Sequence, residues 1–331
     1  MKLLALAVAL VILTHPTSAA ADPPSTIDVG TGPNGLALSS DGKRLYVTNQ
    51  DSNDLSEVDT GKRTVVRTIS QGNQPSSVAV GGEGGQARVF VSNAESNTIT
   101  VMSNLTAKDP SIAELDENTA GLKPSSLAAS ADGKVLYVSS GSDNEVRRLT
   151  YTSNNPAPLS ATVEVGSAPN GLALVNDVLY VTNGESNDVS VLNVKTLTVR
   201  ATVEVGVRPN SVTTTAKGDK VFVTNHDSNT LSIISVPSPD KATVTATVTI
   251  PPQPTSLALS PDEKRLYISH EGRSKITVID ASTSERLADL TMKDGTAGAS
   301  GANGIAVSPD GEYLYVINNG GNTVVVVKTK E

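Results

Sequence analysis

The chain has 331 residues, 26 Lys plus Arg against 34 Asp plus Glu, a formal charge of −8, no Cys, no Trp, two Phe and seven Tyr. The acidic balance excludes a basic nucleic-acid footprint, and the lack of cysteine excludes disulfides, thiolate metal sites and a Cys nucleophile. With 37% apolar and 18% charged residues, the chain has material for a packed core and is not a disordered sequence.

The first predicted element is an address. Lys2 precedes eleven apolar residues, Leu3 to Leu13, followed by Pro16 and the small-residue stretch Ser18-Ala19-Ala20-Ala21. A charged start, a short apolar stretch and a small-residue end predict a secretory signal peptide over residues 1–21, cleaved after Ala21. As a helix the apolar stretch covers about 16 Å, roughly half a bilayer core, so it is not expected to span. The expectation is an exported protein, periplasmic, secreted or attached to the cell surface, with no transmembrane segment in the mature chain. Residues 22–331 are expected to form one domain, and a monomer is the expected state.

The mature chain repeats itself. A phrase Pro-x-(Gly/Ser)-(Leu/Val)-(Ala/Thr) starts at Pro33, Pro75, Pro124, Pro169, Pro209 and Pro254, and a seventh copy starts at Ala302. Each copy is followed by an aromatic phrase such as Tyr46-Val47-Thr48-Asn49 or Phe222-Val223-Thr224-Asn225. The spacing averages about 45 residues, the period of a four-stranded propeller blade. Alternation and turn chemistry place four strands in one repeat: 211–215 (a), 220–225 (b), 230–236 (c) and 243–250 (d). Asp-Gly turns such as Asp41-Gly42 join a to b, and Asp/Glu-Ser-Asn turns such as Asp51-Ser52-Asn53 join b to c. The fold class is all-β, a seven-bladed β-propeller.

The two ends of the repeat complete each other. Thr26-Ile27-Asp28-Val29-Gly30 matches the d-strand sequences Thr162-Val163-Glu164-Val165-Gly166 and Thr202-Val203-Glu204-Val205-Gly206. The C-terminal stretch Asn322 to Val327 matches strand c. The N-terminal strand is therefore expected to complete the last blade and close the ring.

The Tyr-Val-Thr-Asn phrase on this period resembles the YVTN family of β-propeller repeat proteins. That resemblance implies a seven-bladed ring and an exported or cell-surface location. Relatives with similar rings include surface-layer proteins, periplasmic binding proteins and lactonase-like or lyase-like enzymes, so it leaves function open.

Several motifs could carry chemistry. Gly30-Thr31-Gly32-Pro33-Asn34-Gly35 satisfies G-x-G-x-x-G, but a strand follows it where a dinucleotide site needs a helix. Asp51 to Asp59 lacks the central Gly and terminal Glu of a calcium loop. His226 and His270, the two histidines beyond the leader, fall in b–c turns of adjacent blades, with Asp227 and Glu271 beside them. These four are candidate metal ligands, and the histidines candidate catalytic groups; two solvent-facing loop histidines is the plainer alternative. The acidic turn positions Asp51, Glu95, Glu185 and Asp227 could form a partner-binding rim, or could simply bond their own turns. Asn34, Asn170, Asn210 and Asn303, with Lys123 and Arg208, mark a ligand-binding face at the mouth of the central channel. The d–a loops 116–123 and 293–302 are the longest places for a grafted site.

Three functions compete. The favoured one is a non-enzymatic exported binding or scaffold propeller presenting its d–a/b–c face to a protein, cell-surface component or polysaccharide. The second is a metal-assisted lactonase-like or lyase-like enzyme near His226 and His270. The third is an accessory subunit of a periplasmic redox system. No cofactor is predicted, a divalent metal is possible, and nucleic acid is not a partner.

Overall fold

The computed structural model describes residues 25–152, 155–292 and 304–330. Seven antiparallel four-stranded sheets follow one another around a ring. In the fifth blade the strands are Pro209–Thr214 (a), Lys220–Asn225 (b), Thr230–Ser235 (c) and Thr243–Thr249 (d), within two residues of the sequence expectation. The first blade runs Pro33–Leu38, Arg44–Asn49, Asp54–Asp59 and Thr64–Ser70. Among the described residues the only α-helix is the single turn Glu117–Ala120 in the second d–a loop. No helix among them is long and apolar enough to cross a membrane. The predicted signal peptide, Asn303 and the loop 293–302 lie outside the described residues.

The seventh blade is built from both ends of the chain. Thr26–Asp28 pairs with the c strand Thr323–Lys328, with Ile27 opposite Val324 and Thr26 opposite Val325. Ile27 is 2% exposed and packs in one layer with Leu45, Val47, Tyr315, Ile317 and Val324, which belong to the last and first blades. A short outer strand thus joins blades whose sequences lie almost 300 residues apart.

The core has no single centre. It consists of seven apolar layers, one in each seam between neighbouring blades. The aromatic residue opening each b-strand phrase fills these seams: Tyr46, Phe90, Tyr137, Tyr180, Phe222, Tyr267 and Tyr315 are at most 4% exposed. The rest of the phrase is also structural. The hydroxyls of Thr48, Ser92, Ser139 and Thr182 accept the backbone N–H of Gly35, Ser77, Ser126 and Gly171 at 2.7–3.1 Å. Those N–H groups lie where strand a bulges after its proline and leaves the ladder, so the hydroxyl meets a donor the sheet cannot. The buried Asn49, Asn93, Asn183 and Asn225 donate to side chains five and seven residues on, across the b–c turn.

The Ser and Asn of the b–c turn work between loops. Ser52, Ser96, Ser186 and Ser228 accept N–H groups from the d–a loop running into their own blade, at 3.0–3.1 Å. Asn53, Asn97, Asn144, Asn187, Asn229 and Asn322 accept the N–H of the residue before the proline of the next blade, at 2.8–3.1 Å. Each Asn sits at positive φ, which Asn tolerates better than most residues. Local turn bonding was one sequence expectation for these turns. The Ser bonds instead fasten each d–a loop to the blade it enters, and the Asn bonds clamp consecutive blades to one another.

Candidate functional site

On the face where d–a loops and b–c turns meet, the a strands surround a central funnel of about 1100 Å³. Its wall mixes backbone, hydroxyls and amides, among them Ser76, Ser125, Ser211 and Thr255, with the aliphatic Leu36, Val78, Leu172 and Val212. Five of the six sequence-predicted ligand-face residues line it: Asn34, Lys123, Asn170, Arg208 and Asn210. The sixth, Asn303, lies outside the described residues.

These five are not equivalent. Asn210 is spent on the ring: its amide donates to Pro254 O and Thr255 O of the next blade at 2.9 and 3.0 Å, and its oxygen accepts from Thr224 at 2.8 Å. It is therefore a blade-to-blade tie, as Ser125 is with Pro169 O at 2.9 Å. Asn34 donates to Gln50 at 3.1 Å. Asn170, Lys123 and Arg208 are exposed. Lys123 and Arg208 hold positive φ, at 51° and 55°, and their backbone N–H groups are gripped by Asn97 and Asn187. Their side chains are thus launched from fixed backbone. Arg208 Nη1 lies 3.7 Å from Asp227, an exposed and screened pair.

The four acidic rim positions, Asp51, Glu95, Glu185 and Asp227, are all exposed on the b–c turns. Glu185 and Asp227 reach the funnel wall, while Asp51 and Glu95 stand outside it. The Asp227 carboxyl is held below the usual range, first by its bond to His226 and then by Arg208.

The histidines do not converge. His270 is 1% exposed, with Nδ1 3.2 Å from Pro252 O and Nε2 2.9 Å from the Thr277 hydroxyl. It stands in for the repeat's Asn and keeps the bond to the side chain seven residues on. Burial lowers its pKa to about 4, against the weaker pull of the Pro252 carbonyl. The expectation of a solvent-facing loop histidine is corrected for His270, because the Asn position it occupies is inside the blade. His226 lies between two carboxylates, Nδ1 at 2.6 Å from Asp227 and Nε2 at 3.6 Å from Glu271. The two ring nitrogens point in opposite directions, so these carboxylates do not share one side of the imidazole. Among the described residues no three His, Asp or Glu side chains are grouped to hold a metal ion. The proposed set His226, Asp227, His270 and Glu271 therefore does not form one site.

The ring of seven four-stranded blades defines a class of protein, the seven-bladed β-propeller. The chain belongs to the lactonase, seven-bladed β-propeller family, whose model matches residues 92–331. It is 26% identical over 342 aligned positions to the seven-bladed β-propeller protein Rv1057 of Mycobacterium tuberculosis, covering 89% of this chain and 82% of that one. It is 28% identical over 153 residues to antigen Lp49 of Leptospira interrogans, covering 45% of this chain but only 32% of the antigen. Among solved structures it resembles hydrazine synthase of Kuenenia stuttgartiensis, with a TM-score of 0.76, 20% identity, and coverage of 95% of this chain and 98% of that one. A functionally unknown protein from Desulfotomaculum acetoxidans gives a TM-score of 0.70 at 17% identity, covering 84% and 89%. At these identities the structural likenesses speak for the fold alone.

Proposed function

We propose that this is an exported, non-enzymatic binding propeller that takes an acidic, hydroxyl-rich saccharide, such as the end of a cell-surface polysaccharide, into its funnel. One observation carries the reading. Lys123, Asn170 and Arg208, from three successive blades, face the funnel exposed, above a floor of hydroxyls and backbone. Lys123 and Arg208 suit a carboxylate, Asn170 with Glu185 and Asp227 suits sugar hydroxyls, and the mixed hydroxyl and aliphatic wall suits the two faces of a sugar ring. The signal-like leader supports export.

Calorimetric titration with galacturonate oligomers and with neutral galactose oligomers tests it. Binding of the acidic series is expected, weakened at least about tenfold in the K123M/R208M double variant. Equal binding of the neutral series, or of the double variant, would overturn it.

The family name favours a second reading, lactone hydrolysis without a metal. Ionised Asp227 would keep the proton on His226 Nδ1 and leave Nε2 as a base beside the funnel. Glu271 occupies the approach to Nε2, and His226 does not line the funnel, which puts this reading second. Turnover of a lactone panel that is lost in His226→Gln would reverse the order.

A further inference from the structure

The seam between the first and second blades departs from the repeat in its turn, in a charged pair, and in an unmet donor of that pair. The first is the turn above it. Other a–b turns pack on the preceding blade: a Cβ on Gly42 would meet Pro309 at 2.6 Å, and one on Gly218 would meet Val175 at 3.0 Å. The second blade instead carries Gly81-Gly82-Glu83-Gly84-Gly85, and Cβ atoms on Gly84 or Gly85 would meet nothing within 4 Å. A cavity of about 610 Å³ results, on the a–b side of the ring and away from the funnel.

The second departure is charge in a core position. Where other blades pair Val101 with Ala113, Val191 with Ala201 or Ile233 with Ala246 across strands c and d, the first blade pairs Glu57 with Arg67. Those three blades show that the fold does not need a charged pair here, and the third blade sets Arg148 opposite Ala161 at the same position. Both Glu57 oxygens are taken, by Arg44 Nε at 3.2 Å and Arg67 Nε at 3.0 Å. The third departure is an unmet donor. Arg67 Nη2 donates to Leu105 O at 3.2 Å, while Nη1 is buried without a partner. A buried guanidinium N–H left unpaired is costly, so Arg67 gains by turning Nη1 to an acceptor in the cavity.

The geometry points to a second binding site, in this seam, for a small monocarboxylate with an aromatic or short aliphatic body. Val66, Val80 and Leu105 supply an apolar wall for the body, and Arg67 with Lys43 faces the charge. The lining carries three acids (Asp41, Glu57, Glu83) and three bases (Lys43, Arg44, Arg67), a balance that suits one negative charge better than two. This site does not depend on what the funnel binds.

Thermal shift and titration with benzoate and hexanoate, against the uncharged benzamide and hexanamide, test it. A carboxylate-selective rise in melting temperature is expected, with binding about tenfold weaker in Arg67→Gln. Because Arg67→Gln leaves Glu57 with Arg44 as its one cation, the second variant is E57V/R67A, which restores the apolar pairing of the second, fourth and fifth blades. It should fold and show no carboxylate effect, whereas K123M/R208M should bind benzoate like wild type. The site is refuted by amides that bind as well as acids, by no shift with either acid, by an effect that survives in E57V/R67A, or by one lost in K123M/R208M.

Discussion

The side-chain oxygen of Asn187, at the tip of the fourth blade, accepts the backbone N–H of Arg208 at 2.8 Å and so fixes a funnel cation from the neighbouring blade. Arg208 sits at a φ of 55°, immediately before Pro209, where an unsupported chain would rarely hold a long side chain. Architecture and site share this bond. Asn187→Ala is expected to cost about 1 kcal/mol of stability and to weaken funnel binding without touching the ligand. Urea unfolding and titration on the same variant check both effects. Lost stability with undiminished binding would show that Arg208 needs no fixing.

Ring closure rests on three residue pairs and one buried side chain. Ile27→Asp places a carboxylate in the layer with Leu45 and Tyr315, and is expected to cost about 3 kcal/mol or more. The loss should appear as one cooperative transition at lower urea, since that layer joins the last blade to the first and so closes the ring. An unchanged midpoint would mean that the ring stays closed without its N-terminal strand.

His270 makes stability depend on pH. A histidine titrates near 6.5 when unfolded, and burial lowers it to about 4 in the folded protein. Above about pH 6.5 the ring is neutral in both states and nothing is lost. Between about 6.5 and 4 the unfolded chain takes up a proton that the folded chain refuses, so stability falls as pH falls. The loss levels off below about 4, at roughly 3 kcal/mol. His270→Asn restores the side chain of the other blades and should remove this part of the acid sensitivity. Urea midpoints of both proteins at neutral and mildly acidic pH measure it, and identical pH slopes would refute it.

The glycine closing an outer strand is a steric requirement. A Cβ on Gly206 would lie 2.5 Å from Ser228 Oγ and 2.7 Å from Asn225 Cγ, two groups that hold the fifth b–c turn. Gly206→Ala is expected to lower stability by about 1–3 kcal/mol and to loosen the loop carrying Arg208. Hydrogen exchange at the Val207 and Arg208 amides should quicken in the variant. Unchanged exchange would show that the loop absorbs the methyl group.

Much of this was legible because a repeat states its own rules. Proline phrases, aromatic phrases and the spare strand at Ile27 fixed the blades, and the mouth of strand a marked the funnel. What misled were residues whose partners lie in another blade. Asn210 reads as a free amide until its bonds to Pro254 and Thr255 are seen. Ser52 and Asn53 read only as turn formers, although both serve d–a loops. His270 reads as a loop residue only if the Asn it replaces is taken to be outside. The seam cavity carries no motif, yet Glu57 with Arg67, set against the Val-Ala pairs of other blades, was a visible departure in the sequence.

The most direct test of the funnel site is an amide-resolved NMR titration with a galacturonate oligomer. The largest shifts are predicted at the backbone amides of Lys123, Gly171 and Arg208, which belong to the residues that frame the funnel across three blades. Shifts confined to the outer strands, or none at saturating oligomer, would contradict a binding site in the funnel.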